Sequence, residues 1–159
     1  PEKMVEIVPE AERTVLTSVA GVEAPDAALK ALLAIPGWHE EARMVDALKM
    51  PILRLVAHYL IEEKRSSGTA RDSVAHFHLN NGARIEQLNW LADTSPRGLE
   101  EPAGMMLNYR YEPDEIEGNH EFYRGGQAII AAPKVRELLN NKQRANGGRS
   151  NGRERQATN

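Results

Sequence analysis

The sequence predicts an α+β domain in which helices come first and an antiparallel sheet follows. Three observations carry that prediction. Before about residue 61, apolar residues recur at three- and four-residue spacing, the period of a helix with one buried face. In the middle, Asn81-Gly82 separates two mixed segments. Asn-Gly is the strongest short hairpin signal, because both central positions of a type I′ turn need φ > 0. Further on, residues 103–111 read as another strand.

The helical part begins at residues 10–19, where Val15, Leu16 and Val19 are apolar and Pro9 is placed to open the helix. Asp26 is the expected N-cap of residues 27–34, and Pro36-Gly37 stops that helix. The strongest helix follows, with Pro51 near its first turn and Ile52, Leu55, Val56, Tyr59 and Leu60 in helical spacing. Glu62, Glu63, Lys64 and Arg65 end it in solvent, and Ser66-Ser67-Gly68-Thr69 is a loop.

Residues 74–90 are expected to form two strands around Asn81-Gly82. In that register His78 lies opposite Ile85, and Val74, His76, His78, Ile85, Gln87 and Asn89 share a face. A one-residue slip exchanges the faces. Asp93-Thr-Ser-Pro-Arg-Gly98 is a turn cluster. On the strand over 103–111, alternation puts Tyr109 and Tyr111 on one face. A short helix over 114–123, a strand over 127–131 and a last helix over 133–140 complete the domain. From residue 141 the chain is polar, without apolar periodicity, and is expected to be a disordered, mildly basic tail. The expected organisation is one domain over 1–140 and a tail over 141–159.

A length of 159 residues suits one domain with one sizeable core. The net charge of -3 gives no reason to expect nucleic acid or an anionic membrane surface as partner. The absence of cysteine removes disulfides, cysteine-based zinc sites and a cysteine nucleophile together. No apolar run approaches a membrane span. The acidic, polar start is unlike a signal peptide and lacks an initiator Met, so a fragment of a longer chain is expected, in a reducing, cytoplasmic compartment.

Among side chains able to do chemistry, His76 and His78 stand at i and i+2 and would share one face of a strand. Two histidines so placed suit a metal, but no third ligand lies at convincing spacing, and no metal is expected. A histidine there also has a plainer use, satisfying a backbone group. Ser95, before Pro96, suits a turn or cap better than a catalytic triad with Asp93 and His78. Gly125-Gly126 is a weak phosphate-loop signal, and Trp38 and Trp90 are expected to pack in the core or at its rim.

Three motifs in register resemble the C-terminal catalytic region of malonyl-CoA decarboxylases. They are Val74-Ala75 with Phe77-His78-Leu79 and Asn81-Gly82-Ala83; then Asn89-Trp90, Ala92-Asp93, Ser95 and Arg97-Gly98; then Gly104, Met106 and Asn108-Tyr109-Arg110-Tyr111. The resemblance extends over roughly residues 38–139, and Pro51-Ile52-Leu53-Arg54-Leu55 with Tyr59-Leu60 looks like the family's preceding helix. Ser73 departs from the proline usual in the family.

The resemblance implies the back part of an acetyltransferase-like (GNAT-type) fold, a role in fatty acid metabolism, and conversion of malonyl-CoA to acetyl-CoA and CO2 without a cofactor. It places His78 at the family's essential histidine and makes Tyr111 the second catalytic candidate. Asn81, Ser95 and Arg97 become candidates for substrate binding, through the loops they shape. The family's essential serine belongs to an S-P-I-P-G-F motif farther upstream. Ala34-Ile35-Pro36-Gly37-Trp38 echoes it superficially but has no serine at that position. The CoA-pyrophosphate loop is likewise not recognisable, so the isolated chain is expected to be inactive. The implied partners are malonyl-CoA, an upstream part of the same enzyme and further copies in a homo-oligomer. Two other classes stay open: a CoA-dependent acyltransferase of the same fold and a non-catalytic interaction module.

Overall fold

Four helices occupy the first part of the chain in the structure, a computed structural model describing residues 2–126 and 128–140. They are α1 (Glu2–Ile7), α2 (Glu10–Ala20), α3 (Pro25–Leu33) and α4 (Ala42–Ile61), with a single 3-10 turn at Trp38–Glu40 before α4. Helix α3 starts two residues earlier than expected. Pro25 takes its first position, and Asp26 sits in the first turn without a side-chain capping bond. Helix α4 is the largest correction in this part. Pro51 lies well inside it, not near its start, and is itself buried.

Helix α4 joins two apolar clusters. Its Leu48, Ile52 and Leu53 pack with Leu16 and Leu32 of the preceding helices. Its Ala57, Leu60 and Ile61 pack with residues from the second half of the chain. Trp38 is buried in the first cluster and Trp90 lies against it, with ring centroids 5.8 Å apart. Arg54, mostly shielded on α4, ties the parts together. Its Nε lies 2.9 Å from both carboxylate oxygens of Glu12, and Nη1 donates to the carbonyls of Leu138 and Asn140.

The second half departs most from expectation. Residues before Asn81 form a helix, α5 (Ser73–Asn80), not the first strand of a hairpin. Asp72 caps it by accepting a bond from the backbone N–H of Ala75 at 2.8 Å. Ala75 and Leu79, four apart, are fully buried, whereas Val74 and Phe77 are exposed. Asn81-Gly82 ends the helix instead of turning a hairpin. Gly82 adopts φ 84°, the N–H of Ala83 donates to the carbonyl of His78, and that of Gly82 to the carbonyl of Leu79. This is a Schellman stop, which needs the same positive φ as a hairpin turn. His78 is therefore not opposite Ile85, and His76 and His78 do not share a strand face. On a helix, residues two apart point about 200° from each other.

Among the described residues the sheet has two antiparallel strands, β1 (Arg84–Asn89) and β2 (Met106–Arg110). Ile85 pairs with Tyr109 and Asn89 with Met106, with an irregularity between Ile85 and Gln87. Between the strands lies a short helix, α6 (Pro96–Glu100); after them come α7 (Ile116–Arg124), α8 (Pro133–Arg136) and a 3-10 turn at Glu137–Leu139. The strand expected over 127–131 reduces to one parallel bridge, Ala131 to Ile85, and Gln127 lies outside the described residues. The expected tail over 141–159 also lies outside them. Among the described residues no helix is long and apolar enough to cross a membrane.

Candidate active site

His78 projects from the last turn of α5 onto the end of β2. Its ring stacks on Tyr109, with centroids 4.1 Å apart and planes 15° from parallel. Its Nδ1 lies 2.9 Å from the hydroxyl of Tyr111. The alternation that puts Tyr109 and Tyr111 on one face thus makes one tyrosine the floor of the imidazole and the other its hydrogen-bond partner. Nε2 of His78 makes no hydrogen bond among the described residues.

The surroundings are apolar and open on one side. Phe77 meets the His78 ring edge-on at 5.3 Å and is 63% exposed; Val74, one turn back, and Tyr111 are also exposed. Burial of Tyr109, helped by the negative charge of Asp72 and by Tyr111, raises its phenol pKa well above the usual 10.0. Tyr109 therefore stays a neutral phenol.

The hydrogen bond leaves His78 two neutral forms. If Tyr111 donates to Nδ1, the proton sits on Nε2 and faces outward as a donor. If Nδ1–H donates to Tyr111, Nε2 is an acceptor. A doubly protonated ring is also accommodated, because a phenol oxygen can turn from donor to acceptor. The arrangement can hold an anionic oxygen or move a proton at Nε2.

The other candidates are used differently. Asn81 stands at the end of α5, and its Nδ2 donates to the carbonyl of Phe77 at 2.7 Å. Ser95 caps α6, its Oγ accepting from the N–H of Gly98 at 3.1 Å. The Ser95 N–H donates to Asp93 at 3.0 Å. Through the hydroxyl and then the N–H of Ser95, the Asp93 carboxyl is held below its usual 3.8. Arg97 is exposed and makes no hydrogen bond or ion pair among the described residues. Helix α6 leaves from the Asn89–Met106 end of the strand pair, whereas the tyrosines act at the other end. At about 3.3 Å per residue, five residues of strand separate the two ends by roughly 16 Å. The structure brings Tyr111 to His78 and leaves Ser95 and Arg97 apart.

Sequence reasoning missed the partners that approach α5 from its other side. Tyr123 of α7 is buried, and its hydroxyl lies 2.7 Å from Nδ1 of His76 and 2.9 Å from the N–H of Ala70. Nδ1 of His120 meets the carbonyl of Asn80, and Nδ2 of Asn119 donates to that of Gly82 at 3.1 Å. These partners are some 40 residues away in sequence, and no local spacing announces them. Tyr109 carried a signal, its alternation with Tyr111. No group of three or more His, Cys, Asp or Glu able to hold a metal ion occurs among the described residues.

Residues 4–148 match the family model for the malonyl-CoA decarboxylase C-terminal domain. The chain is 39% identical over 130 residues to the mitochondrial malonyl-CoA decarboxylase of Anser anser anser, covering 82% of this chain and 25% of that protein. The rat enzyme of the same name is 40% identical, with 70% and 22% covered. The crystal structure of malonyl-CoA decarboxylase from Rhodopseudomonas palustris aligns with a TM-score of 0.66 at 40% identity, over 76% of this chain and 27% of that one. That from Cupriavidus metallidurans gives a TM-score of 0.69 at 33% identity, over 87% and 33%. The chain thus spans about a quarter of the length of these curated relatives. Helices, strand pair and motifs agree with that match, and the chain belongs to the malonyl-CoA decarboxylase C-terminal domain family.

Proposed function

We propose that this chain supplies the histidine-bearing part of an enzyme that converts malonyl-CoA to acetyl-CoA and CO2. The observation that carries the reading is the His78 ring held by Tyr109 and Tyr111, with Nε2 making no hydrogen bond among the described residues. Breaking the bond to the carboxylate carbon expels CO2 and leaves its electron pair on the thioester as an enolate. One proton must then reach carbon. The thioester is itself the electron sink, so the reaction asks for a donor near a developing oxyanion and a proton source. With its proton on Nε2, His78 donates to the malonyl carboxylate or the thioester oxygen. As imidazolium it delivers the Nε2 proton to the enolate carbon, while Tyr111 accepts from Nδ1. Both roles use the same pose.

In this reading residues 1–140 are the back part of a GNAT-type catalytic domain, working in a homo-oligomer and in fatty acid metabolism. A segment outside these residues supplies a serine and the CoA-pyrophosphate loop. Asn81, Ser95 and Arg97 serve the substrate by shaping the loops around it. The compartment proposed is the cytoplasm, unlike that in the names of the mitochondrial relatives.

The test is CO2 release from malonyl-CoA by the assembled enzyme, with kcat and melting temperature measured on the same samples. His78→Ala should lower kcat by about 10²–10⁴-fold, the range of a general acid–base group, while melting stays near the parent value. The 159 residues alone should turn over little or no substrate. Near-normal kcat in a folded His78→Ala enzyme sinks the assignment. Acyl transfer to an amine or thiol without CO2 release favours an acyltransferase instead.

A further inference from the structure

We infer that Tyr123, acting through His76, is a positioning residue for His78, and that α7 holds α5 in the one pose that stacks His78 on Tyr109. A backbone N–H only donates, so Tyr123 Oη accepts from Ala70 at 2.9 Å. Its own hydrogen then goes to the other neighbour, Nδ1 of His76 at 2.7 Å. His76 is therefore an acceptor at Nδ1 and carries its proton on Nε2. A carbonyl only accepts, so His120 must carry its proton on Nδ1 to meet Asn80. Two histidines with opposite roles at Nδ1, one accepting and one donating, thus flank the turn that bears His78.

Tyr123 is 1% exposed, so water does not replace a lost bond there. Beyond His120, α7 also takes the end of α5 through Asn119 on the Gly82 carbonyl and through Ile116, packed where a side chain at Gly82 would stand. A helix held at both ends by one neighbour has little freedom to roll. Its opposite face carries His78, whose stack on Tyr109 and bond to Tyr111 depend on that roll. That His78 acts on substrate rests on the decarboxylase reading, whereas the hold on its ring does not.

The experiment is imidazole nitrogen NMR on the 159-residue chain at alkaline pH, where histidines are neutral. His76 should show the Nε2–H form and His120 the Nδ1–H form. His76→Leu should displace the His78 ring protons and weaken their cross-peaks to the Tyr109 ring. His76→Gln, which keeps an acceptor for Tyr123, should restore them. Tyr123→Phe should resemble His76→Leu, and if it does not fold the His76 pair decides. In the assembled enzyme, His76→Leu should lower kcat about tenfold with KM nearly unchanged, since small misplacements of a reacting group are costly in rate. An Nδ1–H form of His76, or parent-like His78 signals in His76→Leu, overturns the inference. Correct tautomers in this chain, with no decarboxylase activity in the assembled enzyme, would retire the proposed function and leave this inference standing.

Discussion

Helices α5 and α6 are built alike and end up with opposite uses. Each opens on a side-chain oxygen that accepts a backbone N–H three residues on, Asp72 for α5 and Ser95 for α6. Each has a glycine where a side chain would not fit, Gly82 against Ile116 and Gly98 against the Asp93 carboxyl. Each lies in a motif shared with the family. In α5 the capping work is done by Asp72, Asn81 and the backbone, and His78 is left to face β2. In α6 the capping work uses Ser95 itself. A matched motif is therefore a mixture, and hydrogen-bond accounting separates the groups consumed by the fold from the group still available for chemistry.

The comparison is broken most severely at Gly82. Alanine there must adopt φ 84° and push against the carbonyl of Ile116. Left-handed strain and overpacking together should cost about 2–5 kcal/mol, read as a lower denaturation midpoint. If Gly82→Ala is as stable as the parent, the stop of α5 is not the rigid junction described.

A smaller effect is expected at Tyr111. Tyr111→Phe keeps the ring and removes the partner of Nδ1. A hydrogen bond involving a charged partner contributes about 1.5–3 kcal/mol, so kcat of the assembled enzyme should fall by roughly ten- to a hundredfold with melting little changed. The pH–rate profile should change too, because Nδ1 of His78 loses the hydrogen-bond partner it has among the described residues. An unchanged profile and rate would reduce Tyr111 to packing.

The smallest effect belongs to α6. Ser95→Ala should lower stability by about 1 kcal/mol, the usual cost of an N-cap, and leave kcat per folded molecule nearly intact. It also removes the main reason the Asp93 carboxyl is held below 3.8. A depressed folded pKa contributes stability above the unfolded value, and that stability is lost as pH falls through the folded value. Acid unfolding of Ser95→Ala should therefore begin at higher pH than in the parent. A large kcat loss without instability would instead make Ser95 a group that meets the substrate.

The same comparison explains what could be read before the fold was seen. Helix α2, the helical stretch through Leu60 and the strand that bears Tyr109 and leads into Tyr111 followed from periodicity alone. Helix α5 did not. Val74, Ala75, Phe77 and Leu79 suit a strand or a helix over so few residues, and Asn-Gly suits a hairpin turn or a helix stop. Long-range packing decided, through Ala75 and Leu79 buried against the Tyr123 cluster. The choice mattered for the site. A strand would have put His76 and His78 side by side, whereas the helix sends one to α7 and the other to the tyrosines.

The stop of α5 also governs how this protein ages. Asn-Gly is the dipeptide most prone to deamidation, because an unhindered glycine nitrogen attacks the asparagine side chain to close a succinimide ring. Here both reacting groups are engaged: the Gly82 N–H donates to Leu79 and the Asn81 Nδ2 to Phe77. Folded molecules should therefore keep Asn81 intact, and molecules that open at this junction should convert it to aspartate or isoaspartate. That new negative charge would sit at the C-terminal, electronegative end of α5, three residues from His78. Deamidation at Asn81 thus becomes a lasting record of time spent unfolded, written beside the histidine that unfolding disables.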